Sequence, residues 1–222
     1  MTGLHAEPLN GSTWPDFVRL AEKHNGVWGG CWCMAFHVET GWSKRTAAQN
    51  RLEKESRVRE GRAHAALVYD GSVPVGWCQF GPTAELPRIK NKRDYLSGLA
   101  RHVTPGRPAG AGQPAGSGQP AGSGLFGLPD WRITCFFVDR DRRHEGIASA
   151  ALRGALHEIG RLGGGVVESY PEDAGDRRVS GSFLHNGTVA MFEQEGFKRS
   201  RRLGKNHWVV TKSLPLAAFN DP

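Results

Sequence analysis

Apolar positions fall into two rhythms along the chain. AHAALVYD (63–70) and VPVGWCQFG (73–81) are short, largely apolar runs on either side of Asp70-Gly71, and they predict two strands joined as a hairpin. Three further runs predict strands: WRITCFFV (131–138), VVESYP (166–171) and WVVTKSL (208–214). Helical spacing takes over elsewhere. Asn10 and Ser12 are capping candidates, Pro15 suits a first turn, and Phe17, Leu20 and Ala21 form a short stripe. RTAAQNRLEKESRVREG (45–61) is helix-forming, charged and closed by Gly61. Ala148, Leu152, Ala155, Leu156 and Ile159 give a helix from about 146 to 161, and another is expected near 186 to 195. Between these, WGGCWCMAFHVE follows the breaker His24-Asn25-Gly26 and reads as a strand, which would put Cys31 and Cys33 on one face. Such alternation predicts an α/β (α+β) fold around a mixed sheet, one domain over residues 1–222.

One stretch has neither rhythm. Residues 104–124, TPGRPAGAGQPAGSGQPAGSG, repeat GQPAGS and offer no large apolar side chain, so burial cannot offset their ordering entropy. A flexible insertion is expected there, within the domain, because strand signals resume at 131.

Composition narrows the class. At 222 residues, 38% apolar and with seven tryptophans, the chain can bury a sizeable core. Its net charge of +7 points to an anionic partner: phosphate groups, an acidic substrate or nucleic acid. Nucleic acid would rest on charge alone, since neither a helix-turn-helix nor an aromatic–basic RNA pattern is present. MTGLHAEPLNGSTWPDF has no basic flank before an apolar core, and no run approaches a membrane span. Four cysteines without an export signal read as reduced thiols, so a cytoplasmic protein is expected.

The densest chemistry lies in VDRDRRHEGIASAAL (138–152). Gly146 lets backbone approach a ligand, and Ala148 keeps the first helical turn free of bulk. A helix that starts here leaves several N–H groups unsatisfied at the positive end of its dipole, which makes an anion site. Arg142 and Arg143 would add charge-assisted bonds to phosphate oxygens.

A strand, then Arg143-x-x-Gly146-x-Ala148, then an amphipathic helix resembles the acyl-CoA loop of the GCN5-related N-acetyltransferases. MFEQEGF (191–197), with Phe192, Gly196 and Phe197, is similar to the aromatic and Gly-Phe that commonly close that family's domain. The resemblance is firmest over 131–213 and looser over 14–80, and it makes 81–128 an insertion. It implies a mixed, mostly antiparallel sheet flanked by helices, with acetyl-CoA as co-substrate and an amine on a small molecule, peptide or protein as acceptor. It further implies that Phe137 and Val138 offer backbone to pantetheine, and that the amides of His144, Glu145, Gly146, Ile147, Ala148 and Ser149 hold the pyrophosphate. The Glu145 carboxylate must then point away. Phe192 stands where many members have a tyrosine acting as general acid, so either another group or water protonates coenzyme A, or the chain is a non-catalytic acyl-CoA-binding module.

For transfer to an amine, a base must take a proton. Val166, Glu168 and Tyr170 share a face by alternation; Glu168 is the first choice of base and otherwise a structural carboxylate. Tyr170 is either a proton donor or a core ring. His185 either lines the cleft or faces solvent, and Asp139 caps the loop's own amides more readily than it catalyses. Cys31, Cys33 and His37 fall short of the four ligands of structural zinc, and Cys31, Cys33, Cys78 and Cys135 read as buried reduced thiols. The resemblance also implies that Trp77 and Gln79, on the third strand, border the acceptor. Arg88 to Arg93 would contact the adenosine 3′-phosphate, an acidic acceptor, or only water. Oligomeric state is left open, a homodimer among the options.

Overall fold

The computed structural model describes residues 3–102, 128–175, 177, 179–181 and 184–215. Seven strands form one mixed, mostly antiparallel sheet: β1 (Leu4–Pro8), β2 (His64–Asp70), β3 (Val73–Pro82), β4 (Trp131–Val138), β5 (Gly165–Ser169), β6 (Lys198–Leu203) and β7 (His207–Leu214). Their spatial order is β1-β2-β3-β4-β5-β7-β6. Only β4 and β5 run parallel, joined by the crossover helix α4 (Ile147–Arg161). The other helices are α1 (Trp14–Lys23), α2 (Ala47–Arg59), α3 (Lys92–His102) and α5 (Val189–Gln194).

Each face of the sheet has its own core. On one, Ile147, Ala151, Leu152, Ala155 and Ile159 of α4 pack on Val68, Ile133 and Val167. On the other, Phe17 and Leu20 of α1 pack with Trp32, Met34, Leu67, Trp77 and Phe137. Five aromatic or aliphatic side chains near α3, including Tyr95 and Tyr170, form a third cluster with Leu203 and Val209 of β6 and β7. Thr46 starts α2 with a reciprocal capping box, Gln49 N–H to Thr46 Oγ1 (3.2 Å) and Thr46 N–H to Gln49 Oε1 (2.9 Å).

The hairpin, α2, β4, α4 and β7 lie where apolar rhythm put them. Residues 28–39 do not: they form successive turns rather than a strand. Val27, Trp28, Trp32 and Cys33 take positive φ (60°, 48°, 49° and 52°), which no strand allows. The wound segment is pinned to α2: a Cβ on Gly30 would stand 2.3 Å from that of Ala47, and Asn50 Nδ2 donates to the Gly30 carbonyl (2.8 Å). Apolar residues are buried here on all sides of a coil, a pattern that mimics a buried strand. Of the region expected as an insertion, 81–102 carries the end of β3 and α3, whereas 104–124 lies outside the described residues.

Two details of β4 prepare the site. Its pairing with β5 is confined to Trp131–Val167, Arg132–Glu168 and Ile133–Ser169. Ser169 Oγ donates to the Ile133 carbonyl (2.9 Å), and Pro171 then supplies no N–H to continue the ladder. Second, the register with β3 slips between Gln79 and Phe80, a bulge that leaves Thr134 opposite no partner. Beyond Ile133, β4 therefore presents an edge that β5 leaves unpaired. Asn186 Nδ2 donates to that stretch at the Thr134 carbonyl (2.7 Å).

Candidate active site

Gly146 precedes α4 in the left-handed region (φ 76°), and no side chain caps the helix. The first intrahelical bond runs from Ala150 N–H to the Gly146 carbonyl (3.0 Å), so the amides of Ile147, Ala148 and Ser149 come before it. These residues border a cavity of about 480 Å³. Phe136, Phe137 and Val138 of β4 form one wall, Arg143 and His144 the rim, and Thr188 and Met191 the far side. Positive φ at His144 (69°) helps turn the loop back towards the helix.

Eight of the ten residues expected at the coenzyme border this cavity: Phe137, Val138, Arg143, His144, Gly146, Ile147, Ala148 and Ser149. Arg142 and Glu145 do not. Arg142 Nε donates to Glu145 Oε2 (2.7 Å) and its Nη2 to Asp70 Oδ2 (2.8 Å), so its charge is already matched by two carboxylates. Asp139 holds the loop from below: Oδ1 accepts from the Asp141 amide (3.1 Å), and Oδ2 accepts from Lys23 Nζ (2.6 Å).

A second cavity, about 580 Å³, opens on the α1/α2 side of β4. Trp28, Phe36 and Trp42 wall it, the thiols of Cys31, Cys33 and Cys135 border it, and Arg88, Lys90 and His185 supply polar groups. Arg88 stacks over the Trp42 ring at 5.8 Å. No carboxylate is found among the described residues lining it. Trp28 borders both cavities, so they adjoin beside the step from Cys135 to Phe136 on β4. Of the options open in the sequence, His185 takes the cleft and the basic run from Arg88 sits at this second cavity, away from α4.

Trp77 and Gln79, expected at the acceptor, lie beneath instead, both fully buried. Gln79 Oε1 accepts from Lys54 Nζ (3.1 Å) and its Nε2 donates to Thr134 Oγ1 (3.2 Å). Cys31 and Cys33 share a turn and not a strand face. Among the described residues no group of three His, Cys, Asp or Glu side chains is placed to hold a metal.

Glu168 and Tyr170 do share a face, and the Tyr170 hydroxyl donates to Glu168 Oε1 (2.6 Å). Neither borders either cavity. The Tyr95 ring of α3 stands edge-on to Tyr170 at 5.7 Å, and the guanidiniums of Arg132 and Arg201 lie 5.6 and 4.9 Å from the Tyr95 centroid. Burial, then the Glu168 carboxylate, push the Tyr170 phenol well above its ordinary value. A phenol so bound is a poor proton donor. On this side of the sheet Tyr95 of α3 packs against Tyr170. Phe192 is fully buried against Phe136 and Phe197 (centroids 5.9 and 4.9 Å) and has no proton to give.

Sequence reasoning missed Trp28, Phe36 and Trp42 as walls of a cavity. The available signal was the glycine set Gly26, Gly29 and Gly30, which marks a wound segment rather than a strand.

Neither a protein-family model nor a curated protein matches the chain. Solved structures of similar overall form include a protein from Corynebacterium glutamicum described as histone acetyltransferase HPA2 and related acetyltransferase (14% identity, 99% of each chain, TM-score 0.47). An acetyltransferase from Thermus thermophilus is similar at 13% identity over 95% of this chain and 97% of its own, TM-score 0.46. The paia N-acetyltransferase of Thermoplasma acidophilum, solved in complex with coenzyme A, is similar at 10% identity over 95% and 99%, TM-score 0.46. At such distances each side chain must be judged by its own surroundings.

Proposed function

We propose that the chain is an acyl-CoA-dependent N-acetyltransferase of the GCN5-related kind, which transfers acetyl directly from acetyl-CoA to an amine. The observation that carries this is the continuity of three features: uncapped α4 amides, the free edge of β4, and a second cavity beyond that edge. The amides of Ile147, Ala148 and Ser149 hold the diphosphate, with Arg143 beside them. The extended pantetheine arm adds to the β4 edge as a short strand would. Its thioester then reaches the junction near Trp28, where a β4 amide polarises the carbonyl. The amine enters from the second cavity, held in line by its walls.

Titration calorimetry with coenzyme A and thiol release from acetyl-CoA over an amine panel test this together. Coenzyme binding and amine-dependent release are expected. Binding without release on any amine would leave the second reading, a non-catalytic acyl-CoA-binding module, which the buried Phe192 favours.

The second cavity also speaks to the acceptor. Aromatic walls with Arg88 and Lys90 suit an amine with an apolar body and a carboxylate, and they repel a polyamine. Phenylalanine should be a better acceptor than phenethylamine or spermidine. Arg88→Gln should raise the KM for phenylalanine by about 10-fold, as loss of one charge-assisted bond implies, and leave that for phenethylamine nearly unchanged.

A further inference from the structure

Beneath the acceptor cavity lies a buried cation that pairs with no carboxylate among the described residues. Lys54 of α2 is fully buried, and its Nζ has Gln79 Oε1 at 3.1 Å and His37 Nε2 at 3.3 Å. His37 Nδ1 stands 3.0 Å from the Glu85 carbonyl and must donate to it, which leaves Nε2 as a bare acceptor for Lys54. His37 is held neutral, its value pushed well down by burial and then by Lys54 and Arg57. Both hydrogen-bond partners of Lys54 are therefore neutral, and an ammonium so buried calls for an anion nearby.

The thiols are what the structure offers. Cys33 Sγ receives the Trp77 Nε1–H at 3.0 Å and lies 3.4 Å from Cys135 Sγ. Hydrogen bonding with Cys135, together with the charge of Lys54 and the Trp77 donor, outweighs burial and lowers Cys33. Its neighbours move the other way. Cys135 and Cys78 are raised well above the ordinary thiol value, and Cys31 is pushed up to about 11 by burial and by Cys33. Lys54 itself is lowered to about 8 by burial, with Cys33, Cys135 and Cys31 pulling it up and Arg57 pulling it down. Cys33 is the sulfur that the Trp77 N–H engages, and it borders the cavity where the amine would sit.

We propose that Cys33 is the proton shuttle of the transfer, taking a proton from the acceptor's ammonium as thiolate and passing it to the departing coenzyme A sulfur as thiol. This rests on the acetyltransferase reading and supplies the acid that Phe192 does not. The nitrogen lone pair, freed by Cys33, forms the C–N bond; the C–S bond breaks with its electron pair on the coenzyme A sulfur, which Cys33 protonates. The second ammonium proton leaves the nitrogen as the amide forms and goes to water, so Cys33 ends as the thiolate it was. Lys54 acts through Cys33 and is a positioning residue.

Thiolate absorbance at 240 nm, followed against pH in the protein alone, should show one group titrating below the ~8.5 of a free thiol. That group should vanish in Cys33→Ser and titrate higher in Lys54→Met, because removal of the cation favours the protonated sulfur. The acid limb of kcat/KM should follow the same midpoint and shift up with it in Lys54→Met, which a merely structural lysine would not cause. Cys33→Ser should lower kcat by roughly 100-fold or more, the size of a lost general base, with coenzyme A affinity kept. A Cys33→Ser enzyme with wild-type kcat, or a wild type with no thiolate titrating early, overturns the shuttle and leaves acetyl transfer standing. Coenzyme binding without turnover of any amine in the wild type overturns both.

Discussion

Gly146→Val should raise the coenzyme A dissociation constant by about 100-fold or more, since two or more amide bonds to a charged diphosphate, each about 1.5–3 kcal/mol, are lost. The position tolerates glycine for two separate reasons, and two variants separate them. At φ 76° a β-branched residue is strained by roughly 1–2 kcal/mol, which would lower Tm by a few degrees. A Cβ there would meet nothing within 4 Å, so the strain is local and the fold should survive. Space that is empty of protein is where the diphosphate must come. Gly146→Ala carries the same backbone penalty with one methyl in that space, so an affinity between wild type and valine is expected. Pantetheine, which lacks the diphosphate, should bind all three forms alike. Calorimetry that returns wild-type affinity for coenzyme A in the valine variant would put the anion site elsewhere.

Most of the sheet was legible because its strands are buried on both faces and read as apolar runs: β3 and β4 are buried almost throughout. The strands that escaped lie at the edges. β1 exposes His5, Ala6 and Glu7, and β6 is KRSRRL with only Leu203 buried, so neither carries an apolar rhythm. Charge on an edge strand guards against pairing with another chain and hides the strand from pattern reading. α3 escaped for a related reason, since it lies in a region without a periodic apolar stripe of any length. Residues 28–39 failed in the opposite sense: an apolar run with the right composition was wound into turns by positive-φ residues, and its rings became cavity walls.

The uncapped start of α4 was legible because backbone geometry makes it, and Gly146 announces that geometry locally. Catalytic side chains were not, because they depend on which elements cover the cleft. Alternation correctly put Glu168 and Tyr170 on one face but could not say that Tyr95, from a helix more than seventy positions earlier, would cover them. Conversely Cys33 and His37 lie on the wound segment and Lys54 on α2, and only folding brings the two elements together. Among the described residues no helix is long and apolar enough to cross a membrane.

Glu168, which borders neither cavity, should prove one of the most costly residues to remove. It lies beside Arg132, its register partner on β4, and both are buried (3% exposed each). Arg132 Nη1 donates to the Leu86 carbonyl (2.8 Å), and its guanidinium and that of Arg201 lie over one Tyr95 ring. Glu168 accepts the Tyr170 hydroxyl, and Tyr170 stands edge-on to the same Tyr95 ring. Glu168→Leu would remove the carboxylate next to the buried Arg132 on the neighbouring strand and strand the Tyr170 phenol as well. Breaking a buried arrangement of this sort costs about 3–5 kcal/mol. For a chain of this length each kcal/mol moves Tm by about 2–4 °C, so a fall of roughly 6–20 °C is expected by calorimetric melting. Glu168→Gln keeps an acceptor for Tyr170 and should lose less. Below the melting transition both variants should bind coenzyme A with nearly wild-type affinity, because α4 and the β4 edge do not touch this cluster's polar atoms. A normal Tm with kcat reduced by about 100-fold in Glu168→Gln would reverse the assignment and restore the carboxylate as base, acting through water.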